Sequence, residues 1–177
     1  MLKIALIFGG IAGSITIGVM TLGIMMAESP GHGSSSQAVG YLIMLVALSL
    51  IFVGVKRYRD QELGGTIKFG PALLLGLSIV GVAGIMYVLG WEVYLASTDY
   101  AFAQQYADSI LAAKEQAGAS AEEIEKTAAS MKSFVDMYAN PFIRLPITFS
   151  EIFPVGLIIA LISAALLRNP KVLPARG

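Results

Sequence analysis

The sequence predicts an all-α polytopic membrane protein, with four transmembrane helices and an extracytoplasmic helical hairpin between the third and fourth. Three observations carry that reading. Of 177 residues, 56% are hydrophobic and only 14% charged, with a mean hydropathy of +0.74, where a soluble domain carries about 25% charged residues. Four apolar runs are each long enough to cross a bilayer, since about 20 residues at helical rise span roughly 30 Å of hydrocarbon. The basic residues also collect on one side if the chain crosses four times, as charge-directed insertion favours. Composition excludes other classes: net charge is zero, so nothing points to nucleic acid. There is no cysteine and only one histidine, which removes disulfides, thiolate metal sites and histidine-rich centres.

The first run, Ile4 to Ala27, follows Lys3. It exceeds the about 7–15 apolar residues of a secretory signal, and Met25-Met26-Ala27 is a poor cleavage site, so a retained helix is predicted. Gly9 and Gly13 form GxxxG, continued by Ser14 and Gly18, a small-residue face that allows close helix approach. Glu28 to Gln37 is a loop, marked by Pro-Gly and a serine run. His32 lies in it near Met25 and Met26, too little for a soft-metal site. The second span is Ala38 to Val55, ending in Lys56-Arg57-Tyr58-Arg59, whose long stems are expected to snorkel to the interface. Asp60 to Phe69 is a turn around Gly64-Gly65; it lacks the G-K-[ST] ending of a phosphate-binding loop. Phe69 to Leu95 is the third span, with Pro71 in its first turn and Gly76, Gly81 and Gly84 as another small-residue surface. It ends in Tyr87, Trp91, Glu92 and Tyr94, aromatic residues typical of a membrane interface.

Ser97 to Asn140 changes character: charged, alanine-rich and without a spanning run. Asp99 to Ala117 reads as an amphipathic helix with Phe102, Tyr106 and Ile110 on one face. Gly118 closes it, and Ser120-Ala-Glu-Glu123 is a capping box for a second helix. That helix carries Ile124, Met131, Val135 and Tyr138 and stops at Asn140-Pro141. The pair is an antiparallel hairpin. Three units follow: residues 1–96, three spans with loops; 97–140, the hairpin; 141–177, the fourth span and a tail. Lys3, Lys56, Arg57, Arg59, Lys68, Arg168, Lys171 and Arg176 fall on one side if the chain crosses four times. Both termini are therefore expected in the cytoplasm and the hairpin outside, with Tyr41, Trp91 and Tyr94 as an outer aromatic belt.

Two segments carry a resemblance. V-K-R-Y-R-D-Q-E-L-G-G-T-I-K-F-G-P-A (55–72) and Y-A-N-P-F-I-R-L-P-I-T-F-S-E-I-F-P-V-G-L-I-I-A-L-I-S-A-A-L-L-R (138–168) resemble the bacterial membrane family catalogued as domain of unknown function 4199. The resemblance covers nearly the whole chain. It implies a small bacterial inner-membrane protein and brings no catalytic residues with it.

The stretch from Arg144 to Arg168 is the fourth span and the most chemically loaded. Glu151 lies roughly 25 Å from Arg168 at helical rise, and Glu92 roughly 36 Å from Lys68. Both carboxylates are thus expected at a similar outer level, with Arg144 the nearest cation. Charges in hydrocarbon are costly and pair or face the bundle, so an Arg144–Glu92–Glu151 cluster is predicted, with Thr148 and Ser150 beside it. Pro146 and Pro154 free the carbonyls of Phe142 and Ser150. Free carbonyls beside an acid can hold a cation or proton in a transporter; alternatively the prolines only kink the helix, Ser150 or Thr148 satisfies the loose backbone, and the acids lock the fold. No Ser/His pair, metal cluster or membrane aspartate pair supports an enzyme, and no cofactor is expected. The expected function is therefore an interaction or scaffold-type protein of the inner membrane. Its partners are the bilayer and a homo-oligomer or membrane complex, reached through glycine faces and the hairpin. A small oligomeric carrier using Glu151 as proton or cation site is the alternative.

Overall fold

The computed structural model describes residues 1–26 and 34–175. The predicted loop at 28–37, with His32, falls largely outside these. The described helices are α1 (Leu2–Met26), α2 (Ser34–Leu48), α3 (Leu50–Glu62), α4 (Phe69–Ser97), α5 (Phe102–Gln116), α6 (Ala121–Tyr138) and α7 (Pro141–Leu167). Four stretches are long and apolar enough to cross a membrane: Leu2–Met25, Val39–Glu62, Phe69–Ser97 and Pro141–Leu167. They mark the chain as a membrane protein. No strand occurs among the described residues.

Sequence and structure differ at several element boundaries, each for a local reason. The second span does not stop at Val55. A break at Ser49 separates α2 from α3, and the helix then runs through the basic cluster to Glu62. Lys56–Asp60 and Arg57–Gln61 contacts one turn apart support that extension. Gly64 and Gly65 end it by taking left-handed φ values of 64° and 90°, which glycine adopts without steric cost. The first hairpin helix begins at Phe102, not Asp99. Asp99 and Tyr100 hold positive φ while the Tyr100 N–H returns to the Leu95 carbonyl, closing α4 before the chain turns. Ser120 and Glu123 form the capping box, and Asn140 caps α7 by accepting from the Phe142 N–H. Pro146 and Pro154 lie inside α7 without ending it.

Packing follows side-chain size. α4 is the central helix, with α1 and α7 on its two faces. Gly9 and Gly13 of α1 sit directly on it: a Cβ on Gly13 would lie 2.7 Å from the Met86 Cβ and 3.1 Å from the Ala83 Cα. Ser14 and Gly18 are exposed, so the small-residue face does not continue through them. Gly76 meets Ala160, Gly84 meets Phe149, and Gly156 meets Val80, whereas Gly81 is open. These pairs make α1 parallel and α7 antiparallel to α4. The core between the four spans contains Ala12, Ile51, Leu75, Ile79, Val80 and Ile152. Apolar residues such as Leu6, Leu42, Leu74, Val93 and Ile158 point outward, an outer surface suited to lipid rather than water.

Candidate functional site

Arg144 is the hub of one end of the bundle. It stands one turn into α7, only 4% exposed. Its Nε and Nη2 donate to the two oxygens of Glu92 on α4, each at 2.7 Å. This bidentate fork is the strongest form of a charge-assisted pair. Nη1 donates to the Tyr138 carbonyl at 2.9 Å, one of the acceptors that the end of α6 leaves without a helical partner. The guanidinium also faces the rings of Tyr100 at 5.0 Å and Tyr138 at 5.8 Å, within cation–π range. One side chain thus joins α4, α6 and α7.

The hairpin is seated on this hub by aromatic rings. Trp91 stacks on Tyr94 (centroids 5.1 Å apart) and meets Phe102 edge-on (4.9 Å). Contacts then run from Phe102 to Tyr106, Phe134 and Tyr138. Trp91 Nε1 donates to the Tyr138 hydroxyl at 2.7 Å, so both polar tips are satisfied where they are buried. Burial pushes the Tyr138 hydroxyl above the ordinary phenol range, while the Trp91 N–H pulls the other way. Trp91 is therefore buried beneath the hairpin, not part of a lipid-facing belt; Tyr41 is exposed. A signal for this zipper was present in the sequence: Phe102/Tyr106 and Phe134/Tyr138 are each spaced i, i+4.

Glu151 does not join Arg144 and Glu92. It lies seven residues further along α7, roughly 10 Å deeper at helical rise. There it accepts from the Tyr87 hydroxyl at 2.9 Å, and among the described residues it makes no ion pair. The two counts themselves differ by roughly 11 Å at helical rise, close to the offset found. Gly76 against Ala160 and Gly156 against Val80 set Lys68 nearly level with Arg168, so the expectation of a common level passed over a difference the counts already held. Glu151 is exposed while Tyr87 is fully buried. A cavity of about 340 Å³ beside Arg144 is lined by Leu95, Tyr100, Val135, Tyr138 and Pro141. Another of about 300 Å³ lies between α5 and α6; Glu151 lines neither.

The neighbouring polar residues behave differently from expectation. Thr148 donates to the Arg144 carbonyl and Ser150 to that of Ile147. Neither hydroxyl donates to the carbonyls that Pro146 and Pro154 free, at Phe142 and Ser150. Among the described residues no group of three or more His, Asp or Glu could hold a metal ion.

Sequence reasoning missed a second arginine site at the opposite end. Arg59 does not snorkel; it is completely buried. Its Nη1 and Nη2 donate to the carbonyls of Val172 and Leu173 at 2.9 and 2.5 Å, and its Nε to Asp60 at 2.7 Å. The segment after α7 is thereby folded back beneath α3. Nothing in the residue pattern announces it, because the acceptors are backbone carbonyls.

No curated protein and no solved structure matches the chain. A family model described as "Protein of unknown function (DUF4199)" matches residues 7–169. A match over that share of the sequence, including both arginine sites' helices and the hairpin between them, makes the chain a member of that family.

Proposed function

We propose that this is an interaction or scaffold-type protein of the bacterial inner membrane, with both termini cytoplasmic and the hairpin held outside as its recognition element. The single observation that carries the reading is the mounting of α5 and α6. Rings and Arg144 fix their base to the spans, so the distal faces are presented in a set orientation. A pre-oriented surface loses less entropy on binding than a loose one. Lys3, Lys56, Arg57, Lys68, Arg168 and Lys171 gather at the end away from the hairpin, which supports the orientation through the preference of basic residues for the cytoplasm. Gly9, Gly13, Gly76, Gly84 and Gly156 are occupied within the chain, so association runs through the hairpin rather than those faces.

A second reading, a small oligomeric carrier, draws on the exposed Glu151 held by a buried phenol. The two are separated by measuring the native mass of the full chain in mild detergent and solute or proton flux in vesicles. Lys132 is exposed on α6 and lines the cavity between α5 and α6; the scaffold reading expects an assembly larger than one chain that dissociates in Lys132→Glu at unchanged abundance. A single-chain mass for the wild type overturns it. So does a flux that Glu151→Gln abolishes while abundance and assembly persist.

A further inference from the structure

Tyr87 has one proton and two acceptors. Its hydroxyl oxygen lies 2.9 Å from Glu151 Oε2 on α7 and 2.8 Å from Met20 Sδ on α1. A phenol can donate to only one of them at a time, and a thioether can only accept. When Glu151 is ionised, the phenol donates to the carboxylate. When Glu151 carries a proton, its own O–H donates to the phenol oxygen, and the phenol proton turns to Met20. Every strong polar group is paired in both states, and no heavy atom needs to move. We propose that Glu151, Tyr87 and Met20 form a reversible proton-binding site within the membrane-spanning bundle. Glu151 takes the proton and Tyr87 turns to accommodate it.

Position supports the assignment. Tyr87 is buried and Met20 half-buried, whereas Glu151 is exposed at the bundle surface, so the outermost member is the one that exchanges. A fixed charge at that depth is costly, and an acid without partners costs a lost hydrogen bond; this triad avoids both. Protonation adds one O–H bond at the carboxyl and removes one negative charge, and the phenol keeps its own proton throughout. Among the described residues, the other titratable groups near the site are the phenols of Tyr41 on α2 and Tyr138 on α6. Arg144 of α7 is already engaged by Glu92 of α4. The charged groups of α3 lie at the far end, around Arg59.

Infrared difference spectroscopy of the full chain in phosphatidylcholine nanodiscs, recorded against pH, tests the site. The expected result is a protonated-carboxyl C=O band that grows as pH falls and is missing in Glu151→Gln. Tyr87→Phe removes the donor to the ionised form, and Met20→Leu removes the acceptor used by the neutral form. Their titrations are therefore expected on opposite sides of the wild type. Should Glu151→Gln fail to accumulate, the latter two variants decide alone. Absence of a titrating band across the pH range in which the protein stays folded overturns the site, as does a band indifferent to both Tyr87→Phe and Met20→Leu. Neither result bears on the native mass that tests the scaffold reading.

Discussion

Arg144 and Arg59 sit at opposite ends of one bundle, and both are hidden from solvent. Arg144 forks onto a carboxylate 52 residues away in sequence and adds a carbonyl and two rings. Arg59 uses the carboxylate next to it and sends its remaining donors to two carbonyls of the tail. The first is a charge pair between helices, so losing it strands a partner of opposite sign. The second is a guanidinium holding main chain, so losing it strands carbonyls that can turn to water. Similar burial therefore implies unequal consequences. What an arginine touches sets its importance more than how deeply it lies.

The largest expected effect breaks the stronger site. Arg144→Gln leaves Glu92 without its cation, and removing one partner of a buried pair costs about 3 kcal/mol; the 23% exposure of the Glu92 side chain argues for this lower end. Denaturant titration of the reconstituted protein measures it. Arg144→Lys should recover little, because a point charge cannot fork across both oxygens. A variant as stable as the wild type would show that the rings, not the ion pair, hold the hairpin.

Arg59→Gln should cost less, about 2 kcal/mol from the lost charge-assisted bonds, and locally. Asp60 keeps Lys56 as a partner, and the global transition should shift little. The readout is limited trypsin cleavage at Lys171, whose following residue Val172 is held by Arg59. Cleavage there should be faster in the variant. An unchanged rate would put the two arginines on the same footing after all.

The smallest effect lies in the hairpin, outside both sites. Ser120→Ala removes the cap of α6 and costs about 1 kcal/mol, read as lost helicity. The Glu123 carboxyl is held below the ordinary glutamate range by the Ser120 N–H and, second, its hydroxyl. Its contribution is present above the ordinary value and disappears as pH falls through the lowered one. Helicity of α6 should therefore weaken in acid for the wild type, less in Ser120→Ala, which keeps the backbone N–H, and not in Glu123→Gln.

What the sequence made legible followed from periodicity and punctuation. Four spans, the capping box at Ser120 and the pairing of Arg144 with Glu92 all rest on local chemistry: apolar length, a serine three residues before a glutamate, isolated opposite charges at compatible depth. The rest depended on which elements meet in space, which no single-helix pattern contains. Glu151 and Glu92 were grouped on one level although their counted distances differ by roughly 11 Å, about the separation found. Trp91 looked like an interface residue because the hairpin that covers it lies beyond the span. Gly9 and Gly13 could be read as a packing face, but not that α4 occupies it. Arg59 was hidden most completely, since its neighbours in sequence are basic and its acceptors are main-chain atoms.

The Arg59 contact has a consequence for biosynthesis. Its two carbonyl acceptors lie 113 and 114 residues later in the chain. A ribosome must therefore thread two further helices and the whole hairpin before that guanidinium can be retired. Until then the guanidinium lacks those acceptors and is free to snorkel, and Val172 and Leu173 act as the latch once α7 has formed.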